Sequence, residues 1–188
     1  AGKALDMEHT TTTLTKLETL DATTAGLLDF TGVALDAAND IDLAGAGSKA
    51  AVTLAGVGKT AATTSIDIDA SGLKAGFTAG AIDAGTASVD IDVSGVTGAV
   101  TFTSVDGDGG IAINAAGTGG AISTGGLTSA GNVTLDAANA GSTISAGNIT
   151  GAQTGDVTVT ATSAVGQVAL GTLTGDNVTL DVSGSTGA

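Results

Sequence analysis

A short apolar motif recurs along this chain about every 22 residues, and a repeat of this kind limits the possible folds more than any other feature. Each copy is a pair of aliphatic residues separated by one residue. The first members of the pairs follow one another at a nearly constant spacing, and they are Ile66, Val89, Ile111, Val133, Val157 and Val178. Such alternation is typical of a β-strand with one buried face.

A second apolar series lies half-way between these pairs. Its members, each half a period after a member of the first series, are Phe77, Val100, Ile122, Ile144 and Val168. Before residue 66 the series continues less regularly as Phe30, Ile41 and Val52, and the longer step from Val52 to Ile66 predicts an inserted loop. In the last three units a further apolar residue, Leu127, Ile149 or Leu173, lies between the two series. One repeat therefore holds three short strands separated by turns.

The composition also favours strands and turns. Ala, Gly and Thr provide 98 of the 188 residues, and 31 of these are Gly. Glycine and β-branched residues disfavour helices, whereas Gly, Ser, Asn and Asp clusters are typical of turns. The chain contains no Pro, so every strand can donate its backbone N–H groups to both neighbours.

We predict an all-β fold, a parallel β-helix (β-solenoid) with about 22 residues per coil, a period typical of solenoid repeats. Equivalent strands of successive coils would then stack about 4.8 Å apart. The alternative is an antiparallel β-sandwich, which is also built from short, regularly spaced strands. The regular period and the shortage of large apolar side chains favour the solenoid. Its direct test is whether Ile66, Val89, Ile111 and Val133 lie above one another.

The first residues differ from the rest of the chain. Residues 1–19 hold the single Met (Met7), the single His (His9) and both Glu residues. We expect an N-terminal cap or junction segment over residues 1–19, or an irregular first coil, followed by a solenoid repeat domain over residues 20–188. A cap would protect the open end of the solenoid from aggregation.

The charges of the chain are strongly one-sided. Nineteen acidic residues oppose five Lys, the net charge is −14, and no cation follows Lys74. Nucleic acids and anionic membranes are poor partners for such a surface. No apolar run reaches the roughly 18 residues that a membrane-spanning helix needs, so we predict no membrane insertion.

The chain is poor in residues that perform catalysis. It has no Cys, no Arg and one His, so thiol chemistry and phosphate clamping lack their usual residues, and general-base catalysis has a single histidine. Three Phe without Trp or Tyr leave little for aromatic stacking on a ligand. We therefore predict a protein that is not an enzyme, and the composition favours secretion to the extracellular surface.

A polar residue follows most of the aliphatic pairs. These residues are Asp69, Asp92, Asn114, Asp136, Thr160 and Asp181, and the pattern recurs earlier at Asp21 and Asp36. In one interpretation each side chain accepts a hydrogen bond from the backbone two residues on, forming an Asx turn. In the other, the stacked carboxylates bind a column of calcium ions. Both interpretations stay open at this point.

Six aspartates are the predicted calcium ligands. Asp67 with Asp69, and Asp90 with Asp92, would each project two carboxylates to one face of a strand. Asp106 and Asp108 flank a glycine that permits a tight turn, as in calcium-binding loops. The alternative for this last pair is an ordinary acidic turn.

Several segments resemble repeats of known proteins. The residues Ile-Asp-Ala-Ser-Gly-Leu at 68–73, the segment 91–101 and Gly-Asn-Val-Thr-Leu-Asp-Ala at 131–137 resemble repeats of bacterial surface-layer (S-layer) proteins. They are also similar to repeats of large adhesins exported by type I secretion. The resemblance spans about residues 20–188. It implies a β-rich, extracellular, often calcium-dependent module that assembles side by side on the cell surface, although the tandem calcium nonapeptides of many such proteins are missing here.

We therefore expect a structural protein that associates with itself into a surface lattice or filament, stabilised by calcium. The alternative is an adhesin or binding module that contacts a cell-surface glycan, a host protein or ice. Threonines on one strand face, such as Thr158, Thr160 and Thr162, motivate the ice alternative. A polysaccharide-cleaving enzyme is the third hypothesis.

Overall fold

The structure is a computed structural model that describes residues 5–6, 19–21, 28–36, 39–43, 51–58 and 64–187. The described residues form eighteen strands and no helix. In chain order the strands are β1 (Leu5–Asp6), β2 (Thr19–Asp21), β3 (Leu28–Leu35), β4 (Asp40–Asp42), β5 (Val52–Gly58), β6 (Ile66–Asp69), β7 (Phe77–Asp83), β8 (Ser88–Asp92), β9 (Val100–Asp106), β10 (Gly110–Asn114), β11 (Ile122–Thr128), β12 (Val133–Asp136), β13 (Ile144–Ala146), β14 (Ile149–Thr150), β15 (Val157–Thr160), β16 (Val168–Leu170), β17 (Leu173–Thr174) and β18 (Val178–Asp181).

These strands form two parallel sheets. Sheet A has the order β1-β3-β5-β7-β9-β11-β13-β16, with β14 and β17 at its side, and sheet B has the order β2-β4-β6-β8-β10-β12-β15-β18. The chain alternates between the sheets, so neighbouring strands of one sheet belong to successive coils. Ile66, Val89, Ile111 and Val133 are direct register partners. The predicted β-solenoid is confirmed, and the antiparallel sandwich is wrong.

The step between coils locates the inserted loop. From β6 onward, sheet B advances by a short and nearly constant step per coil, as the pairing of Ile66 with Val89 and of Val89 with Ile111 illustrates. The step is longer where Asp40 pairs with Asp67 and where Val52 pairs with Phe77. Both longer steps contain the interval between Val52 and Ile66, where the spacing predicted the insertion.

Phe30 and Ile41, two early members of the apolar series, are offset by two residues from the members that follow them in the same sheet. Ile41 pairs with Ile68 rather than Ile66, and Phe30 pairs with Leu54 rather than Val52. Because side chains on a strand alternate between its faces, a shift of two residues leaves the same face inward. The apolar spacing alone therefore could not detect the shift.

Among the described residues, the predicted three strands per coil are separate only in the last two coils. There the strands are β13, β14 and β15, and then β16, β17 and β18. In earlier coils the first two merge into one longer strand, such as β9 and β11, whose register skips one residue at its middle. Gly125 occupies that skipped position, and a Cβ there would overlap the carbonyl oxygen of Thr103.

The core is a set of aliphatic columns between the two sheets. The inward residues of β6, β8, β10, β12 and β15 are all fully or almost fully buried. Phe77 and Phe102 pack with their ring centroids 5.9 Å apart. Phe102 has the small residues Ala79 and Thr124 as its register partners, so a large side chain is accommodated between small ones, as close packing requires.

The N-terminal strands continue both sheets. β1 pairs in parallel with β3, and β2 pairs in parallel with β4. Residues 5–6 are therefore already part of sheet A. Met7, His9 and most of the predicted cap lie outside the described residues, and the boundary at residue 19 stays a prediction.

Candidate functional site

The polar residues at the C-terminal ends of the sheet B strands form a column of Asx turns. Asp92 Oδ1 accepts a hydrogen bond of 2.8 Å from the backbone N–H of Ser94. The same bond, to the residue two positions on, is made by Asp69, Asn114, Asp136 and Asp181. The Asx-turn interpretation is confirmed at these five positions, and one oxygen of each side chain serves the turn.

The third residue after each polar position adopts a left-handed backbone. The φ angles lie between 56° and 71° at six successive turns, at Gly72, Gly95, Gly117, Asn139, Ser163 and Gly184. Glycine and asparagine tolerate this conformation best. The repeated Asp-x-x-Gly pattern is therefore the signature of a coil corner.

The earliest members of the column differ from the prediction in one residue. Asp21 pairs with Asp42, and Asp42 pairs with Asp69. Asp36 instead follows β3, in the other sheet. The motif Leu35-Asp36-Ala37-Ala38 copies the local sequence of a sheet B corner, but Leu35 ends a strand of sheet A, so the motif alone does not identify the sheet.

A second acidic column lies on the outer face of sheet B. Asp67 pairs with Asp40 on one side and with Asp90 on the other. Partial removal from water and then the neighbouring carboxylates, led by Asp90 and Asp40, raise the pKa of Asp67. Asp40 was not among the predicted residues, although a correct register would have identified it.

A third acidic group lies at the C-terminal ends of the sheet A strands β7 and β9. Asp83 and Asp106 are register partners, and Asp108 follows in the next turn. Burial, then Asp83 and Asp108, raise the pKa of Asp106. Asp83 Oδ1 also accepts a hydrogen bond of 2.9 Å from the N–H of Gly85. Asp83 thus joins the predicted pair Asp106 and Asp108, although it was not among the predicted residues.

The six predicted ligands occupy two separate places, one on each sheet. Asp67, Asp69, Asp90 and Asp92 belong to β6 and β8, whereas Asp106 and Asp108 lie at the end of β9. Across the described ranges, no group of three or more His, Cys, Asp or Glu side chains is placed to hold a metal ion. Calcium binding stays a prediction.

The outer columns change in chemistry along the stack. We call residues 64–109 the lower coils and residues 110–187 the upper coils. The outer column of sheet B continues from Asp67 and Asp90 into Ala112, Thr134, Thr158 and Thr179. The column at the end of sheet A likewise passes from Asp83 and Asp106 to Thr128, Thr150 and Thr174. The negative charge is therefore concentrated on the lower coils.

The last coil exposes residues whose equivalents are buried elsewhere. Val178, Leu180 and Val182 are 46%, 48% and 42% exposed, whereas Val157, Val159 and Ala161 below them are fully buried. Leu180 and Val182 line a cavity of about 390 Å³ together with Gln167, Val168, Leu170, Ser185 and Gly187. The structure describes no coil above this one, so the inward residues of β18 have no described neighbour on that side. The sequence pattern does not predict this exposure, because Val178 and Leu180 carry the same motif as the buried pairs.

Comparisons with known proteins add no information about the function of this site. No protein-family model matches the chain, and neither the curated proteins nor the solved structures compared with it give a match. In the part of the chain that the structure describes, no helix is long and apolar enough to cross a membrane.

Proposed function

We propose that this protein is a non-catalytic, extracellular structural protein that assembles with itself into a cell-surface layer or fibre. The observation that supports this most is the uninterrupted parallel register from β6 to β18 over a closed aliphatic core. Such a stack is stiff along its axis, because every coil is joined to the next by backbone hydrogen bonds in both sheets.

The backbone bonds extend from the strands into the corners. Val93 N–H donates to Asn114 O, and Gly95 N–H donates to Ala116 O, at 2.8 Å and 2.9 Å. The Asx turns add one side-chain bond at each of these corners. Hydrogen bonds therefore join the corners of successive coils as well as their strands, which suits a role as a spacer or lattice unit.

Calcium has a bridging role in this proposal. The lower coils present stacked carboxylates with few cations nearby, and Lys74 is the one cation among the described residues. Because the described part of one molecule brings no three acidic or imidazole ligands together, the ion would join acidic columns of two molecules. A hard divalent cation with carboxylate ligands suits this role.

Electron microscopy of the purified chain tests the proposal. We expect sheets or filaments in millimolar calcium and fewer of them after a chelator is added. The matched variant Asp67→Asn with Asp90→Asn should weaken the response to calcium while leaving the coil intact. Separate, uniform particles under every calcium concentration would contradict self-assembly. Assembly that is unchanged by the chelator would contradict the role of calcium but not the proposed self-assembly.

A further inference from the structure

We propose that Asn132 and Asn148 are acceptor sites for N-linked glycans. Each begins an Asn-x-Thr motif, Asn-Val-Thr at 132–134 and Asn-Ile-Thr at 148–150. This motif marks the acceptor asparagine of secreted proteins when x is not Pro. The inference rests on the extracellular location in the proposed function, because the modification is made on exported chains.

The alternation of the strands places both recognised side chains of each motif outside the core. Asn132 directly precedes β12, and Asn148 directly precedes β14. The middle residues of the two motifs, Val133 and Ile149, are fully buried. Because neighbouring side chains of a strand point to opposite faces, the asparagine and the threonine of each motif point outward, and both asparagines are exposed. The folded coils therefore display both motifs on their surface.

Hydrogen bonds to the next coil fix the orientation of both asparagine amides. Asn132 Oδ1 accepts a 3.0 Å bond from Asp156 N–H, and Asn148 Oδ1 accepts a 3.1 Å bond from Thr172 N–H. Because a backbone N–H requires an acceptor, the oxygen of each amide makes this contact and Nδ2 does not. Neither Nδ2 donates a hydrogen bond to another described residue. A sugar on Nδ2 therefore leaves the bond of Oδ1 to the next coil intact.

The coil below offers space for a sugar beside each asparagine. Continuing the registers of β10 with β12 and of β11 with β14 places Gly110 below Asn132 and Gly126 below Asn148. Neither glycine has a side chain that would collide with a sugar. Asn132 and Thr134 also line a cavity of about 250 Å³ together with Gly110. Its lining includes a carboxylate and a hydroxyl, which are groups that form hydrogen bonds with sugar hydroxyls.

A third copy of the motif, Asn-Val-Thr at 177–179, lacks a free amide nitrogen. Asn177 Nδ2 donates to Asp156 Oδ1 at 2.8 Å and to Asp176 Oδ2 at 3.3 Å. An amide nitrogen has two hydrogens, and glycosylation replaces one of them. A sugar on Asn177 would therefore break one of these bonds, and we expect this asparagine to stay unmodified. The motif alone identifies three sites, and the structure selects two of them.

Both sites lie where the acidic columns are absent. Residues 110–155 contain one charged residue, Asp136, and the chain before residue 110 contains no Asn-x-Ser or Asn-x-Thr motif. Charges keep protein surfaces soluble and separate, and surface glycans have the same effect through their bulk and hydration. In this proposal, glycans give the upper coils the hydration that carboxylates give the lower coils. Lateral association would then be restricted to the calcium-bridged lower coils.

The modification is a glycosyl transfer to the amide nitrogen. A transferase supplies an oligosaccharide donor whose anomeric carbon C1 carries a lipid diphosphate. The bond between Nδ2 and C1 forms as the bond between C1 and the diphosphate oxygen breaks. The amide nitrogen loses one proton to a base of the transferase, and the lipid diphosphate leaves with the bonding electrons. No oxidant or reductant takes part.

Mass spectrometry of the exported chain, recovered from the surface or medium of the cells that make it, tests the proposal. Trypsin is unsuitable because no Lys or Arg follows Lys74. Cleavage before aspartate places the three motifs on separate peptides, residues 108–135, 136–155 and 176–180. We expect sugar mass on the first two peptides, localised to Asn132 and Asn148 by electron-transfer fragmentation, and none on the third.

Matched variants at the threonine test whether the motif directs the modification. Thr134→Ala should remove the sugar from Asn132 and leave that of Asn148, whereas Thr134→Ser should keep both sugars. Thr150→Ala should remove only the sugar of Asn148. Circular dichroism checks that each variant folds, and Asn132→Gln takes the place of Thr134→Ala if that variant does not.

The outcomes separate this proposal from the proposed function. An exported chain with Asn132 and Asn148 unmodified, with sugar on threonine instead, or with Asn177 fully occupied would overturn the glycosylation sites and leave the structural function. A Thr134→Ala variant that folds and keeps its sugar at Asn132 would also overturn them. An unmodified chain found only inside the cell would contradict both proposals.

Discussion

The lower and upper coils share one interior but carry different exteriors. Ile66 and Ile68 in a lower coil, and Val133 and Leu135 in an upper one, are equally buried and belong to the same two columns. In the outer column of sheet B, the position held by Asp67 in a lower coil is held by Thr134 in an upper coil. The number of residues from one coil to the next stays nearly constant between these coils.

This difference separates what the fold requires from what it permits. From β6 to β15 the inward columns of sheet B are filled by aliphatic residues, because a polar residue there would lose its water. The outer positions accept a carboxylate or a hydroxyl, since either side chain stays in contact with water. The charge of the lower coils is therefore not needed for folding, and we attribute it to the surface role proposed above.

The largest expected effect tests whether both halves share one backbone. A Cβ at Gly80, in a lower coil, would overlap the carbonyl oxygen of Ala55, and a Cβ at Gly125, in an upper coil, would overlap that of Thr103. We expect Gly80→Ala and Gly125→Ala each to lower the free energy of unfolding by about 3 kcal/mol. Gly126→Ala is the control, because its Cβ would lie 3.8 Å from the nearest atom, Asn148 O. Urea denaturation measures the free energy of unfolding of all three variants. A loss of stability in only one of Gly80→Ala and Gly125→Ala would show that the backbone differs at these two positions, which the register skips.

The next effect comes from exchanging the two exteriors. Asp67→Thr with Asp90→Thr removes two like charges on adjacent strands and should raise the free energy of unfolding by about 1 kcal/mol. Thr134→Asp with Thr158→Asp creates such a pair and should lower it by about the same amount. Both differences should shrink in high salt, because exposed charges are screened. Changes of the same sign in both double variants would refute the electrostatic account.

A smaller difference is expected at the Asx turns. Asp136 has the uncharged register partners Asn114 and Thr160, so Asp136→Ala should cost about 1 kcal/mol, the value of the lost hydrogen bond. Asp92→Ala should cost less, because it also relieves repulsion from Asp69. The thermal midpoints of both variants measure the difference between the two losses of stability.

Asparagine serves as the control at both sites, since Asn114 makes the same turn. Asp136→Asn should leave the midpoint nearly unchanged. Equal costs for Asp92→Ala and Asp136→Ala would mean that the charge of the column has no effect on stability.

The smallest effect is the pH dependence of the lower coils. The raised pKa values of Asp67 and Asp106 mean that the folded chain binds these protons more tightly than the unfolded chain. Their contribution to stability is complete below the ordinary carboxyl pKa of about 4, and it is lost as the pH rises through their folded values. The lowered pKa of Asp181 acts in the opposite sense, and its stabilisation is lost as the pH falls below about 4.

We therefore expect the thermal midpoint to rise slightly as the pH falls from neutral toward the ordinary carboxyl pKa of about 4. Asp67→Asn with Asp106→Asn should flatten this part of the curve, while Asp181→Asn should leave it unchanged. A midpoint that falls over the same interval in the unmodified chain would contradict the expected sign of this pH dependence.

The sequence predicted the fold and part of the acidic surface. The repeat period and the alternation identified the solenoid, and the Asp-x-Ser-Gly corners indicated the Asx turns as one of two interpretations, because these are local patterns. The register of the early coils, the partners Asp40 and Asp83, and the bends at Gly80 and Gly125 were missed. Each depends on which residue lies above which, and a two-residue slip leaves the apolar pattern unchanged.

The sequence by itself determined which side chains face inward, because burial follows the alternation of each strand. Only the tertiary structure decided what happens to a motif once it is placed in the stack. Val133 and Leu135 are buried by the coil above them, and Val178 and Leu180 carry an equivalent motif but lie 46% and 48% exposed. Burial in a solenoid depends on having a neighbouring coil, which is a property of position in the stack and not of the motif.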